Sequence, residues 1–284
     1  MVRIHPSPPI YPWVVQLVEH MPEEHGVGGS IPSPGAIKLY VYHKYSDMFI
    51  TPKHNTSNNI SFSGPDSYDK FKKNKKVCDK DWIYHKKEIS YHHDEYGFRI
   101  KQIGDQSPLW EESIVVFGCS NVYGIGLAYE DTLCNQLEQM LRIPVINLGV
   151  PGSAVDMSAR NSYILYKHFP HPKAIVHLWT ELCRYTDWSG KNNSIGKNHV
   201  PSNLDYYPNI NWEAKSMHLI DTDRELWRNK TIYYESTFWF ENSTCLNIDM
   251  INMFDTARDC SHPGIKTNYF AAMGIAERLK SLGI

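Results

Sequence analysis

The run Ile114-Val115-Val116-Phe117-Gly118-Cys119-Ser120-Asn121-Val122-Tyr123-Gly124 decides how this chain folds. Its first four residues are β-branched or aromatic without polar alternation, which suits a strand covered on both faces in a parallel sheet. Ligands of such sheets sit just beyond the carboxyl ends of the strands. Gly118 to Asn121 fall there, and Ser120 is therefore a candidate for chemistry. Three familiar glycine-rich strand ends do not match. A P-loop needs a lysine after its second glycine, but Gly124 is followed by Ile125. A dinucleotide fingerprint needs G-x-G-x-x-G, but Gly118 is followed by Cys119 and Ser120. The G-x-S-x-G nucleophile elbow needs glycine where Val122 stands.

Downstream of this strand the spacing predicts alternating helices and strands. Asp131 is a fitting N-cap for a helix whose stripe is Leu133, Cys134, Leu137, Met140 and Leu141. Pro144 to Leu148 reads as a second buried strand, ended by Gly149-Val150-Pro151-Gly152, and a helix follows over 154–167. Ala174 to Trp179 reads as a third strand. This β-α-β-α-β rhythm implies an α/β fold: a parallel sheet with right-handed crossovers and helices on both faces. Residues 186–212, rich in Gly, Asn, Ser and Pro, read as an insertion or lid-like loop. A helix around Met217 to Trp227 and a strand from Thr231 to Phe240 follow. A last helix presents Tyr269, Phe270, Met273, Ala276 and Leu279 on one stripe.

The N-terminal third reads differently. Residues 1–37 are rich in proline and glycine, and Val15 to His20 followed by Gly26 to Gly35 resembles the peptide made when a transfer-RNA gene is translated in frame. The expectation is a disordered or spurious tail ahead of the native start, so a chain beginning at Met48 keeps its stability and activity. Residues 38–77, with the Asn-rich stretch from Asn55 to Asn59 and the basic cluster Lys70 to Lys76, read as polar loops. Ile83, Tyr84, Ile89, Tyr91, Tyr96, Phe98 and Ile100 sit at roughly strand spacing around His92-His93-Asp94-Glu95 and predict a hairpin or edge ribbon. Neighbouring strand residues point to opposite faces, which favours a solvated turn over a metal cluster at those four residues. The division is thus a tail over 1–37, an extension with a β-ribbon over 38–112, and the α/β domain over 113–284.

Composition narrows the function. The chain has 284 residues, 42% of them hydrophobic, with 29 basic and 31 acidic residues. So balanced a charge sets up no field that favours nucleic acid or an anionic membrane. The six cysteines, Cys78, Cys119, Cys134, Cys183, Cys245 and Cys260, include no CxxC pair. They read as reduced, mostly buried thiols rather than zinc ligands or a disulfide framework. No run approaches a membrane span of roughly 18 apolar residues. Prolines break the N-terminus where a signal peptide needs a continuous apolar region, so the expectation is a soluble, cytoplasmic protein.

Just before the last helix stands Arg258-Asp259-Cys260-Ser261-His262-Pro263-Gly264. An Asp three residues ahead of a His in a tight turn places its carboxylate on the imidazole, fixing the tautomer and leaving the other ring nitrogen to activate a hydroxyl. An isolated pattern of this kind is commonly a local turn feature. Together with a serine at a strand end it makes a triad candidate: Ser120, Asp259 and His262.

Here the sequence resembles the SGNH (GDSL-type) hydrolase family over about residues 113–284. The resemblance implies a three-layer α/β/α, flavodoxin-like fold carrying an irregular N-terminal extension. Gly118-Cys119-Ser120 is similar to the first block of that family, with Cys119 where Asp is frequent, and implies Ser120 as nucleophile. Asn147 to Gly152 looks like the second block, implying that the backbone N–H of Gly152 joins that of Ser120 in an oxyanion hole. Asp259 and His262 match the last block as orienting acid and general base. The third block departs from the pattern. Where the family has an oxyanion-donating Asn, this chain reads Trp179-Thr180-Glu181-Leu182. A carboxylate cannot donate to an oxyanion, and losing one donor costs about a hundred- to a thousand-fold in rate. Three alternatives stand: Arg184 or Asn121 substitutes as donor, activity is weak, or Glu181 pairs with Arg184 and the Ser120 and Gly152 amides serve alone.

What the resemblance implies is a serine esterase acting on a small O-acyl ester, with a carbohydrate among the candidate carriers of that acyl group, and with no cofactor and no metal. The partner is a small-molecule or carbohydrate ester, not nucleic acid. The alternatives are a weakly active carbohydrate-binding or structural module on the same fold and an O-acyltransferase, which shares every residue named. Cys119, Cys260 and His177 read as core residues. Tyr185, Trp188, Tyr206, Tyr207 and Trp212 flank the insertion and suit either sugar stacking or loop packing.

Overall fold

The computed structural model describes residues 60–94, 96–101, 109–186, 192–194 and 212–284. The chain divides into two compact units, Met1–His43 and Lys44–Ile284, and every described residue belongs to the second. The expectations for 1–37 and Asn55 to Asn59, and most of the insertion over 186–212, lie outside the described residues.

Among the described residues, regular structure begins with α1 (Tyr68–Val77), where the Oγ of Ser67 accepts the N–H of Lys70 as an N-cap. Polar loops are the sequence expectation here. The helix buries none of its residues fully, so it carries no apolar stripe for periodicity to detect. Ile83 to His85 form a short 3-10 turn, and the strand spacing expected there fails: Tyr84 is buried and Ile83 is exposed. β1 (His92–His93) pairs antiparallel with β2 (Arg99–Ile100). The turn between them is anchored by Asp94 Oδ1, which accepts the N–H groups of Tyr96 and Phe98. His93 is buried against Tyr123 Oη at 2.7 Å rather than solvated.

β3 (Ile114–Gly118) is buried along its whole length and leads into the single turn of α2 (Ser120–Tyr123). α3 (Leu133–Leu141) follows, capped by Thr132 Oγ1 and not by Asp131, which lies in the preceding 3-10 turn and pairs with Lys87. β4 (Val145–Gly149), α4 (Val155–His168) and β5 (Ala174–Trp179) complete the repeat. β6 (Arg184–Thr186) and β7 (Asn192–Ser194) form a separate antiparallel pair. The chain continues through α5 (Trp212–Trp227), β8 (Ile232–Thr237), α6 (Phe240–Leu246), β9 (Asp249–Met250) and α7 (Ile265–Ser281). The expected strand to Phe240 therefore stops at Thr237, and a short helix takes its end.

The strands lie in the order β4-β3-β5-β8-β9, all parallel. One face packs Ile114, Val116, Ala174, Val176 and Leu178 against α3 and α7. On the other, Trp179 joins Val155 of α4 and Ile220 of α5. The result is a three-layer α/β/α sandwich of the kind the resemblance implies. The buried face of α7 is Ala271, Ala272, Ile275, Ala276 and Leu279. Tyr269 and Phe270 are exposed instead, Phe270 packing on Phe254, because close approach to the sheet selects the small residues of the helix.

Candidate active site

Ser120 stands just past the carboxyl end of β3, an interior strand of the parallel sheet, as its spacing predicts. β3 ends at Gly118, Cys119 serves as the N-cap residue, and Ser120 opens α2. This turn is held tightly against its neighbours. Asn147 on β4 spans it, with Nδ2 donating to Val122 O at 2.9 Å and Oδ1 accepting from Gly149 N–H at 2.9 Å. A Cβ on Gly149 would lie 2.4 Å from Tyr123 N, so β4 and α2 approach this closely only through a glycine.

The Asp-x-x-His turn comes back to this point from the far end of the chain. His262 Nε2 lies 2.9 Å from Ser120 Oγ, and His262 Nδ1 lies 2.7 Å from Asp259 Oδ2. The other oxygen of Asp259 accepts the N–H groups of Ser261 and His262 at 3.1 and 3.0 Å. Burial would raise the Asp259 carboxyl, but the ring and backbone hydrogen bonds of His262 and its neighbours outweigh it and hold the group below the ordinary carboxylate range. Asp259 is fully buried and His262 half-buried, so this array has a closed acid end and a wetter base. It can pass a proton from a serine hydroxyl to an imidazole braced by a carboxylate.

Gly152 has φ of 75°, in the left-handed region, and its missing Cβ faces open space. Its loop is tied to the end of β3: Val150 N–H donates to Gly118 O at 2.9 Å, and Ser153 Oγ donates to the same carbonyl at 3.2 Å. Asn121 is buried beside Ser120 in the same turn. Glu181 follows β5 and is held on both oxygens: Arg184 Nε donates to Oε2 at 2.8 Å and Trp239 Nε1 to Oε1 at 2.9 Å. Of the three alternatives for this position, the ion pair with Arg184 is the contact present. Trp239, between β8 and α6, is invisible to strand periodicity.

The remaining expectations divide. Cys119 is buried as expected but not turned away from Ser120, whose Oγ lies 3.9 Å from its Sγ, because the strand has already ended and alternation no longer applies. Cys260 is exposed and not a core residue. His177 is buried and stacks between Phe117 and Trp179, with Nε2 2.9 Å from Asp223 Oδ2 though not aligned for a hydrogen bond. The side chains of Tyr185, Trp188, Tyr206, Tyr207 and Trp212 lie outside the described residues.

Several supporting residues carry no motif. Arg258 Nε donates to Asp66 Oδ1 at 3.0 Å and its Nη2 to Asp66 Oδ2 at 2.7 Å, and both residues are buried. Tyr91 Oη donates to the same carboxylate at 2.6 Å while accepting Gly126 N–H at 2.7 Å. Arg99, fully buried, donates to the carbonyls of Tyr123, Gly124 and Leu127, just past the Ser120 turn. Burial lowers its guanidinium pKa. Lys70 on α1 donates to Ser261 Oγ at 2.7 Å and lies 3.6 Å from Asp259 Oδ2. Asp66 and Arg99 act across long sequence separations, where no local spacing marks them.

Among the described residues no helix is long and apolar enough to cross a membrane. No protein-family model and no curated protein matches the chain. Among solved structures it is similar to a putative arylesterase from Agrobacterium tumefaciens at 11% identity and a TM-score of 0.39, over 60% of this chain and 99% of that one. It is also similar to a carbohydrate esterase family 2 enzyme with its carbohydrate-binding domain from Corynascus thermopiles, at 11% identity and a TM-score of 0.41, over 66% of this chain and 70% of that one. A third is a member of the lipolytic protein G-D-S-L family from Veillonella parvula, at 13% identity and a TM-score of 0.38, over 58% and 98%. At these identities and TM-scores none of the three fixes the chemistry of this chain.

Proposed function

We propose that the chain is a serine ester hydrolase that removes a small O-acyl group, with a carbohydrate ester as one candidate acyl donor. The observation that carries this reading is the hydrogen-bonded line from Ser120 Oγ through His262 to Asp259, at 2.9 and 2.7 Å, just past the carboxyl end of an interior parallel strand. His262 Nε2 takes the Oγ proton as Ser120 attacks the acyl carbonyl. Asp259 holds the imidazole and stabilises the imidazolium that forms. The backbone N–H groups of Ser120 and Gly152 receive the oxyanion. His262 then gives its proton to the leaving alcohol, and a water activated by the same nitrogen releases the acyl group and frees Ser120. Arg184 neutralises Glu181, so the carboxylate in the third block opposes the developing negative charge less than its bare charge would.

Hydrolysis of p-nitrophenyl acetate tests the reading. The wild type is expected to exceed Ser120→Ala in kcat/KM by about three orders of magnitude or more. Equal rates would leave a binding module as the better account.

A further inference from the structure

Cys78 is the C-cap residue of α1, its N–H donating to Asn74 O at 2.8 Å. Cys260 stands between Asp259 and Ser261 with φ of 53°. Although 182 positions apart, the two Sγ atoms lie 3.7 Å from each other. Cys260 is exposed and Cys78 half-buried, so a small oxidant has access to the pair. The two segments are docked by contacts that do not involve sulfur. Asn74 Nδ2 donates to Arg258 O at 3.0 Å, Lys70 Nζ to Ser261 Oγ at 2.7 Å, and Arg258 pairs with Asp66. Reaching a bond of about 2.05 Å asks the sulfurs to close by roughly 1.7 Å, within the reach of side-chain rotation at the surface.

We propose that Cys78 and Cys260 are a disulfide site, oxidised by a low-molecular-weight disulfide such as oxidised glutathione, that staples α1 to the turn bearing Asp259 and His262. The Cys260 thiolate attacks one sulfur of the oxidant and expels one glutathione thiolate. Cys78 Sγ, deprotonated in its turn, attacks the Cys260 sulfur of the mixed disulfide and expels the second. Two protein thiols thereby lose two protons and two electrons, and the oxidant takes them up as two thiols. Burial, the hydrogen bond with Cys78 and the charge of Asp259 push the Cys260 thiol up to about 11, so exchange is slow near neutrality and quickens with rising pH. The enclosed loop is long, and closing it restricts the unfolded chain.

The test uses the full chain, incubated with oxidised glutathione at pH 9, quenched with iodoacetamide and digested without reduction. Mass spectrometry is expected to find a Cys78–Cys260 cross-linked peptide free of glutathione, and the six free thiols are expected to fall by at least two, the exposed Cys245 taking glutathione separately. The melting temperature is expected to rise by roughly 10 °C. Cys78→Ser is expected to lose both the cross-link and the rise while accumulating glutathione on Cys260. Separate glutathione adducts on Cys78 and Cys260, an unchanged thiol count, or a cross-link through Cys183 or Cys245 would each overturn the proposal. None of these readouts needs ester hydrolysis, so this proposal and the hydrolase reading fail separately.

Discussion

A serine hydroxyl is a poor nucleophile until a base accepts its proton, and the base must itself be held in one tautomer. Ser120, His262 and Asp259 meet both needs within hydrogen-bond reach. Replacing Asp259 by Asn is expected to lower kcat on the order of 10⁴-fold, because the amide no longer fixes the donor nitrogen. The same residue gives a stability signature. Its carboxyl is held below its ordinary value, so the ion stabilises the fold above about pH 4, and that contribution is lost as pH falls through its folded value. Urea titrations between pH 2 and 7 are expected to show a shallower acid decline in Asp259→Asn than in wild type. Glu181 is the residue that departs from the motif. Arg184→Met is expected to unmask its charge and lower kcat by about tenfold, which corresponds to about 1.4 kcal/mol of charge repulsion in the transition state. Adding Glu181→Gln is expected to restore the rate, and an unaffected Arg184→Met enzyme would mean that the pair is electrostatically silent.

Among the elements, β3 and β5 are legible from sequence almost to the residue. A strand buried on both faces is apolar almost throughout, His177 of β5 being the exception, and such runs stand out in a chain this polar. α7 is legible as a helix, and Ala276 and Leu279 of its expected stripe are buried, but Tyr269 and Phe270 advertise a face that Ala271, Ala272 and Ile275 supply instead. α1 escapes detection because its value to the fold lies in polar contacts. Those contacts belong to the site: α1 and the loop before it hold Arg258 through Asp66 and Asn74. Asp66→Ala leaves the Arg258 guanidinium buried without a counter-ion and is expected to cost about 3–5 kcal/mol in urea unfolding. Gly149→Ala drives a methyl group into the backbone of α2 and is expected to lower both the unfolding free energy read from urea titration, by about 1–3 kcal/mol, and kcat. A loss of stability with kcat unchanged would mean that the Ser120 turn tolerates the shift.

Across the whole molecule the proposed nucleophile, Ser120, and its proposed base, His262, come from positions 142 residues apart, and the parallel sheet makes them neighbours. The motif spellings foretell this meeting; the scaffolding around it they do not. Arg99, Asp66 and Tyr91 tie the region before the sheet to the loops after β3 and before α7. Buried polar networks of this kind are written in three-dimensional proximity, not in periodicity. A chain lacking residues 1–108 is therefore expected to lose its cooperative unfolding transition, since it strips Arg258 of its partner and the Ser120 turn of Arg99. Activation of Ser120 by His262 is tested by covalent trapping with a fluorophosphonate followed by peptide mass mapping. One phosphonyl group is expected on Ser120 in the wild type and none in His262→Ala. An unlabelled wild-type protein, or a label on any other residue, would contradict that activation.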